Sequence, residues 1–144
     1  MVITVDTNVI LAGLLSQEGA SHKILNLVIE EKLHLALTTS VVLEYDDVLK
    51  RPGLMVKHQL NTQQIEEILD LLILLAKKEV VYYRLRPNLL DENDNFLIEC
   101  AFKSNSNYLV TSNVKDFNQN ELKHYPFVVL TPREFYQLWR TKNE

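Results

Sequence analysis

Glycine is scarce in this chain. Three are present in 144 residues, at Gly13, Gly19 and Gly53. No glycine-rich loop can be assembled from them, which argues against a P-loop or a dinucleotide fingerprint. Cysteine is scarcer still, with Cys100 alone. One thiol forms no intramolecular disulfide and suits a reducing, cytoplasmic setting. The four histidines, His22, His34, His58 and His124, show no metal-ligand spacing. No uncharged run reaches the roughly 18–20 residues that cross a membrane, so no membrane span is expected. Asp6 interrupts the first apolar run and no basic segment precedes it, so no secretory leader is expected. Bases are also in deficit, 15 Lys and Arg against 19 Asp and Glu, for a net charge of −4. That argues against a protein whose whole surface grips nucleic acid.

What is present is enough for one domain, residues 1–144, with 47% hydrophobic residues to build a core. Val2-Ile3-Thr4-Val5 is a β-branched run that stops at Asp6-Thr7-Asn8. Val9-Ile10-Leu11-Ala12 resumes at once, so the stretch reads as strand, acidic turn and helix start, capped by Asn8 or Thr7. Ser21 is a cap candidate for a helix over His22–Lys32, and Leu33–Leu37 is a strand candidate. Thr38-Thr39-Ser40 caps a helix over Val41–Lys50 that stops before Pro52. Thr62 caps the longest helix, to about Lys78, with Ile65, Ile68, Leu69, Leu72, Ile73 and Ala76 on its buried stripe. Val80–Tyr83 reads as a third strand, Arg84–Leu90 as a loop, and Asp91–Asp94 as a helix start. Asn105-Ser106-Asn107 breaks that helix; Tyr108–Val110 and Phe127–Leu130 are strands. Thr131-Pro132-Arg133-Glu134 combines a capping box with proline at the first helical position, and the last helix runs to about Arg140. Strands alternate with helices throughout. The pattern implies an α/β fold: a parallel sheet covered on both faces, joined by right-handed crossovers.

In such sheets ligands bind beyond the strands' C-terminal ends. Asp6 ends the first strand, Glu44 lies one turn into the helix after the second, Asp94 starts the helix after the third, and Thr111, Asn113 and Asp116 follow the fourth. Taken singly, each has an ordinary role. Asp6 caps a helix, Glu44 is an exposed helix residue, Asp91 and Asp94 favour a helix N-terminus, and Asp116 sits in a turn. Taken together, four acids issue from four connections on one edge. Clustered carboxylates repel one another, and a divalent cation resolves the conflict. Oxygen donors without a His or Cys pattern suit Mg²⁺ or Mn²⁺ better than Zn²⁺. Cations held this way can activate water and stabilise the leaving oxygen of a phosphodiester. An acidic balance is therefore compatible with an enzyme that cuts nucleic acid.

At these residues the sequence resembles the PIN-domain family of nucleases. Asp6-Thr7-Asn8-Val9 looks like that family's opening motif. Thr39-Ser40, Leu43-Glu44-Tyr45 and Val48-Leu49 are similar to its second. Asp91-Glu92-Asn93-Asp94-Asn95-Phe96-Leu97 with Ala101 is similar to its third, and Tyr108-Leu109-Val110-Thr111-Ser112-Asn113 with Asp116-Phe117 to its fourth. Ser112 stands where a glycine is usual. The resemblance implies a three-layer α/β/α Rossmann-like sandwich with a five-stranded parallel sheet, order 3-2-1-4-5. It also implies Mg²⁺- or Mn²⁺-dependent cleavage of single-stranded RNA, with Asp6, Glu44, Asp94 and Asp116 as ligands and Asp91 as a frequent further acid. Asn8, Thr111 and Asn113 would orient the carboxylates or touch substrate. Small members are often toxins of type II toxin–antitoxin pairs, which implies an antitoxin protein as a partner. Two other readings are an interaction or RNA-processing module with little catalysis and a phosphatase on the same fold.

Outside the acids, Lys50, Arg51, Arg84, Arg86 and Lys115 are the basic residues placed to meet substrate at the rim. Leu71, Leu74 and Leu75 widen the apolar stripe of the long helix beyond one face, which suits core packing or else a homodimer or antitoxin surface. Cys100 reads as a buried structural thiol, and Phe135 and Trp139 as the residues that pack the last helix onto the sheet.

Overall fold

A computed structural model describes residues 1–79, 96–117 and 125–143, with the backbone alone for residues 77–79. Four strands, β1 (Val2–Val5), β2 (His34–Leu35), β3 (Tyr108–Val110) and β4 (Val128–Leu130), form one sheet in the order β2-β1-β3-β4. Every pairing is parallel. Ile3 lies opposite Leu35 on one side and Tyr108 on the other, Val5 opposite Val110, and Val110 opposite Leu130. The expected third strand, Val80–Tyr83, lies outside the described residues, as do the Arg84–Leu90 loop and the Asp91–Asp94 helix start. With that strand set aside, the expected order 3-2-1-4-5 reduces to the order seen.

The helices are α1 (Thr7–Leu15), α2 (Ala20–Ile29), α3 (Thr39–Leu49), α4 (Pro52–His58), α5 (Thr62–Glu79), α6 (Phe96–Lys103) and α7 (Pro132–Asn143). They flank the sheet in two groups. α1 packs on α2 and α2 on α7; α3 packs on α5 and α6, and α6 lies against β1 and β3. β1 is the centre of the core. Ile3, Thr4 and Val5 are all buried, as a parallel strand covered on both faces must be. α1 and α2 approach closely at Gly13. A Cβ there would lie 2.5 Å from Leu25 Cδ1, and the Gly13 carbonyl accepts a hydrogen bond from His22 Nδ1 at 2.9 Å.

Several element ends differ from the pattern. Neither Asn8 nor Thr7 caps α1. Asp6 holds the N-cap position, and its backbone carbonyl accepts from the N–H groups of Val9 (3.0 Å) and Ile10 (3.4 Å). α2 starts at Ala20 after Gly19, ahead of Ser21, and ends at Ile29 rather than Lys32. The chain turns there through Glu31 at φ 62°, and Lys32 and Leu33 bond back to the Leu27 carbonyl. α3 starts at Thr39, two residues early, because Thr38 is its cap and accepts from Val41 N at 3.2 Å. The expected strand over 33–37 contracts to His34–Leu35. α4 is an addition. Pro52 ends α3 and also opens a new helix, since the missing N–H costs nothing in a first turn. His58 ties it down, donating from Nε2 to the Leu49 carbonyl (3.0 Å) and accepting at Nδ1 from Leu60 N (3.1 Å). The capping box of α7 forms as expected. Glu134 N donates to Thr131 Oγ1 (3.1 Å) and Thr131 N to Glu134 Oε1 (2.9 Å), and the helix runs on to Asn143.

Polar groups beneath β1 are satisfied internally. Thr4 Oγ1 and Ser106 Oγ are 2.9 Å apart, Ser106 Oγ and Ser104 Oγ 2.8 Å, and Thr4 donates to Cys100 Sγ at 3.7 Å. Cys100 is fully buried, as expected of a structural thiol. Burial pushes that thiol from 9.0 up to about 11, against hydrogen bonds from Thr4 and Thr38 that lower it. Tyr45 is raised well above its usual value by burial first, then by Cys100 and Asp6. Both groups ionise in the unfolded chain before they ionise in the fold. The stability that Cys100 contributes this way is therefore full below pH 9.0 and is lost as pH rises towards about 11. That loss is on the order of 2–3 kcal/mol. Denaturant titrations at rising pH should show it, and Cys100→Ala should flatten the fall between these values.

Candidate active site

The sheet order reverses between β1 and β3. From β1 the chain crosses to β2 on one side, and β3 with β4 lies on the other. In a doubly wound sheet the crevice beyond the strand ends at such a point is where ligands bind. Asp6 and Thr111 are the first residues past β1 and β3, and both meet there. Asp6 N donates to the Val110 carbonyl at 2.9 Å, and Thr111 N to the Leu130 carbonyl at 3.0 Å. The strand ends are thereby locked together by backbone bonds that continue the ladder.

The side chains then build on this lock. Asp6 makes no side-chain cap to α1. Its Oδ2 instead accepts from Thr111 Oγ1 at 2.7 Å and from Asn8 Nδ2 at 3.3 Å. Asp6 thus caps α1 through its backbone carbonyl alone, and its carboxylate bonds to Thr111 across the switch point. Each of its donors is held in turn. Thr111 Oγ1 accepts from Asn113 N (3.1 Å), and Asn8 Oδ1 from Ser112 N (3.2 Å). The loop after β3 is thus pinned to Asp6 by a threonine and to α1 by an asparagine. Thr111 is fully buried, which removes water as a competitor for its hydroxyl.

Glu44 is partly buried on α3, next to Tyr45. Tyr45 is the residue whose role the motif left unstated. It is buried among the core residues, and its hydroxyl donates to the Val5 carbonyl, the last residue of β1. That strut fixes α3, and Glu44 with it, relative to the strand end that carries Asp6. The signal in the sequence was the stripe Val41, Tyr45, Leu49, whose single polar member needs a partner inside. Asp116 closes a 3₁₀ turn over Val114–Asp116 and is exposed; its N–H donates to the Asn113 carbonyl at 2.9 Å. Asp91 and Asp94 lie outside the described residues. Among the described residues no group of three His, Cys, Asp or Glu is placed to hold a metal ion. In donor type the set still fits a hard divalent cation. It is all oxygen, and both hydrogen bonds to Asp6 fall on Oδ2, leaving Oδ1 with none among the described residues.

Of the expected basic rim, Lys50 is engaged by Asp46 (2.7 Å) and Glu66 (3.0 Å), and Arg51 by Asp47 (2.9 Å). Lys115 is exposed beside Asp116, while Arg84 and Arg86 lie outside the described residues. Thr7, buried beside Asp6, has a hydroxyl with no hydrogen-bond partner among the described residues.

A sequence profile described as the PIN domain matches residues 2–115. The chain belongs to the PIN domain family. The match takes in Asp6, Asn8, Glu44, Asp91, Asp94, Thr111 and Asn113, and stops one residue short of Asp116. The PIN domain is a nuclease family, and the observed parallel sheet is its fold. Among solved structures the chain is similar to VapBC2 from Rickettsia felis, whose crystal structure was determined bound to a DNA fragment from its promoter. The TM-score is 0.51 at 17% identity, over 91% of this chain and 98% of that one. No curated protein matches the chain.

If the network serves the carboxylate, Thr111→Val should show it. Valine keeps the shape but removes both the donor to Asp6 and the acceptor for Asn113. The expected result is a loss of nuclease activity of about 10–100-fold, with a stability loss on the order of 1–2 kcal/mol. Steady-state cleavage and a denaturant titration on the same preparation check both numbers.

Proposed function

We propose that this PIN domain is a metal-dependent endoribonuclease that hydrolyses phosphodiester bonds of single-stranded RNA. The observation that carries the reading is Asp6. In a chain of a nuclease family, its carboxylate makes no cap to the α1 backbone and is held by Thr111 across the switch point and by Asn8 of α1. Asp6, Glu44, Asp94 and Asp116 would hold Mg²⁺ or Mn²⁺, with Asp91 as a further acid. When bound, the cation supplies Lewis acidity and positive charge at the phosphodiester oxygens. The chain's own groups do the positioning. Thr111 and Asn8 keep Asp6 Oδ2 fixed, which leaves Oδ1 as the oxygen to meet a cation. Tyr45 holds the helix that carries Glu44, and Asn113 lies on the same loop, where it can meet substrate.

The same proposal makes the chain the toxin of a toxin–antitoxin pair in the cytoplasm. The fold it shares with a VapBC structure supports this, as do the apolar side chains left exposed on α3 and α5, Leu43, Leu71 and Leu74. Those leucines suit an antitoxin segment or a second copy of the chain. No helix among the described residues is long and apolar enough to cross a membrane.

Purified chain incubated with single-stranded RNA tests the catalytic reading. Internal cleavage should require Mg²⁺ or Mn²⁺ and stop with a chelator. Cleavage that ignores the chelator, or a preference for small phosphate esters over RNA, would overturn it. Growth arrest on expression, relieved by Asp94→Asn, is the expected sign of a toxin.

A further inference from the structure

A second surface lies on α7, away from the acidic edge. Tyr136 and Trp139, three residues apart, stack with their rings 12° from parallel and centroids 6.4 Å apart. Lys23 Nζ of α2 lies over the Tyr136 ring at 5.3 Å, and the Arg140 guanidinium lies 6.0 Å from the same ring. One turn on, Lys142 Nζ is 5.9 Å from the Tyr108 ring and 3.4 Å from its hydroxyl. Tyr108 opens β3, so this end of the patch is at the sheet's N-terminal edge. Trp139 and Tyr136 are partly exposed, and Lys23 and Lys142 are exposed.

The chain's acids outnumber its bases; Lys32, Lys50, Arg51 and Lys103 are ion-paired to carboxylates, while Lys57, Lys115 and Arg133 stand exposed elsewhere on the surface. Lys23 and Lys142 have no carboxylate partner among the described residues and rest on aromatic rings instead. A cation on a ring face keeps its charge directed outward, available to an anion. Stacked aromatics bordered by such cations are what binds a single strand without reading its sequence: rings take the bases and cations take the phosphates. An acidic peptide would use the charges and leave the stack idle.

We infer that the part-exposed flank of α7 that carries Tyr136 and Trp139, with Lys23 of α2, is a docking surface for single-stranded RNA, where Lys23 and Lys142 meet phosphates and a base stacks on the exposed part of Trp139. The inference deepens the ribonuclease reading by giving the substrate a second hold. Tyr108 and Thr111 lie at opposite ends of β3, so the two sites sit on opposite edges of the sheet.

Trp139 is the only tryptophan in the chain, so its emission reports on this surface alone. An oligouridine titrated into the intact chain, in chelator to prevent cleavage, should quench that emission and raise the anisotropy of a labelled strand together. Lys23→Ala with Lys142→Ala should weaken binding about tenfold and lower the salt slope by about 1.4. Binding by anisotropy without quenching, or an unchanged affinity and slope in the double variant, would overturn the docking surface and leave the ribonuclease reading intact. Quenching by polyglutamate as strong as by oligouridine would assign the surface to an acidic protein segment instead. Absence of cleavage with metal present would overturn the nuclease reading, and the quenching result would still decide the surface.

Discussion

Asp6→Asn is expected to lower RNA cleavage at least about 100-fold while the protein stays folded. The magnitude follows from what is removed. Replacing groups that merely orient a metal ligand costs about 10–100-fold, so replacing a proposed ligand costs more. The fold survives for a specific reason. Asn keeps an oxygen that can accept from Thr111 Oγ1, and the backbone bonds from Asp6 to Val110 and from Val9 and Ile10 to Asp6 do not involve the side chain. If Asp6 served only to cap α1, Asp6→Asn would keep activity as well as stability, because asparagine caps a helix about as well as aspartate. Cleavage rates and unfolding midpoints measured on one preparation separate the two.

Phe135→Ala should produce the largest loss of stability, on the order of 3–5 kcal/mol. Phe135 is wholly buried on α7, and its ring meets Tyr108 edge-on, with centroids 5.5 Å apart. α7 rests on α2 and β4, and through Phe135 it also meets β3 at Tyr108. Domains of this kind hold only about 5–15 kcal/mol in total. The variant should therefore unfold at much lower denaturant, and Phe135→Leu, which keeps most of the volume, should lose only about 1–2 kcal/mol. Loss of Trp139's native emission should accompany unfolding in both.

The alternation of strands and helices was legible because β-branched runs and helical stripes are strong local signals. So was the need of Asp6 for a partner, since a carboxylate at the end of a buried strand must be hydrogen-bonded. Which partner it takes was not legible. Thr111 is 105 residues away, and only the parallel pairing of β1 with β3 brings its hydroxyl to Asp6. Tyr45 was hidden for the same reason, as its acceptor is a backbone carbonyl of β1. α4 was missed because Pro52 carries two meanings, the end of one helix and the first residue of the next. The early end of α2 depends on Glu31 in a left-handed conformation, which no local preference of glutamate indicates. Lys50 and Arg51 are not free rim cations, because acids one turn back on α3, Asp46 and Asp47, engage them. A helical i, i+4 spacing could have shown that pairing.

On the proposed reading, carboxylates from separate strand ends share one cation at the switch point. Calorimetric titration of Mn²⁺ into the intact chain and into Asp6→Asn and Asp94→Asn tests it most directly. The expected result is saturable binding to the intact chain, weakened at least about tenfold by either substitution. Binding of equal strength in all three proteins, or none to the intact chain, would contradict it.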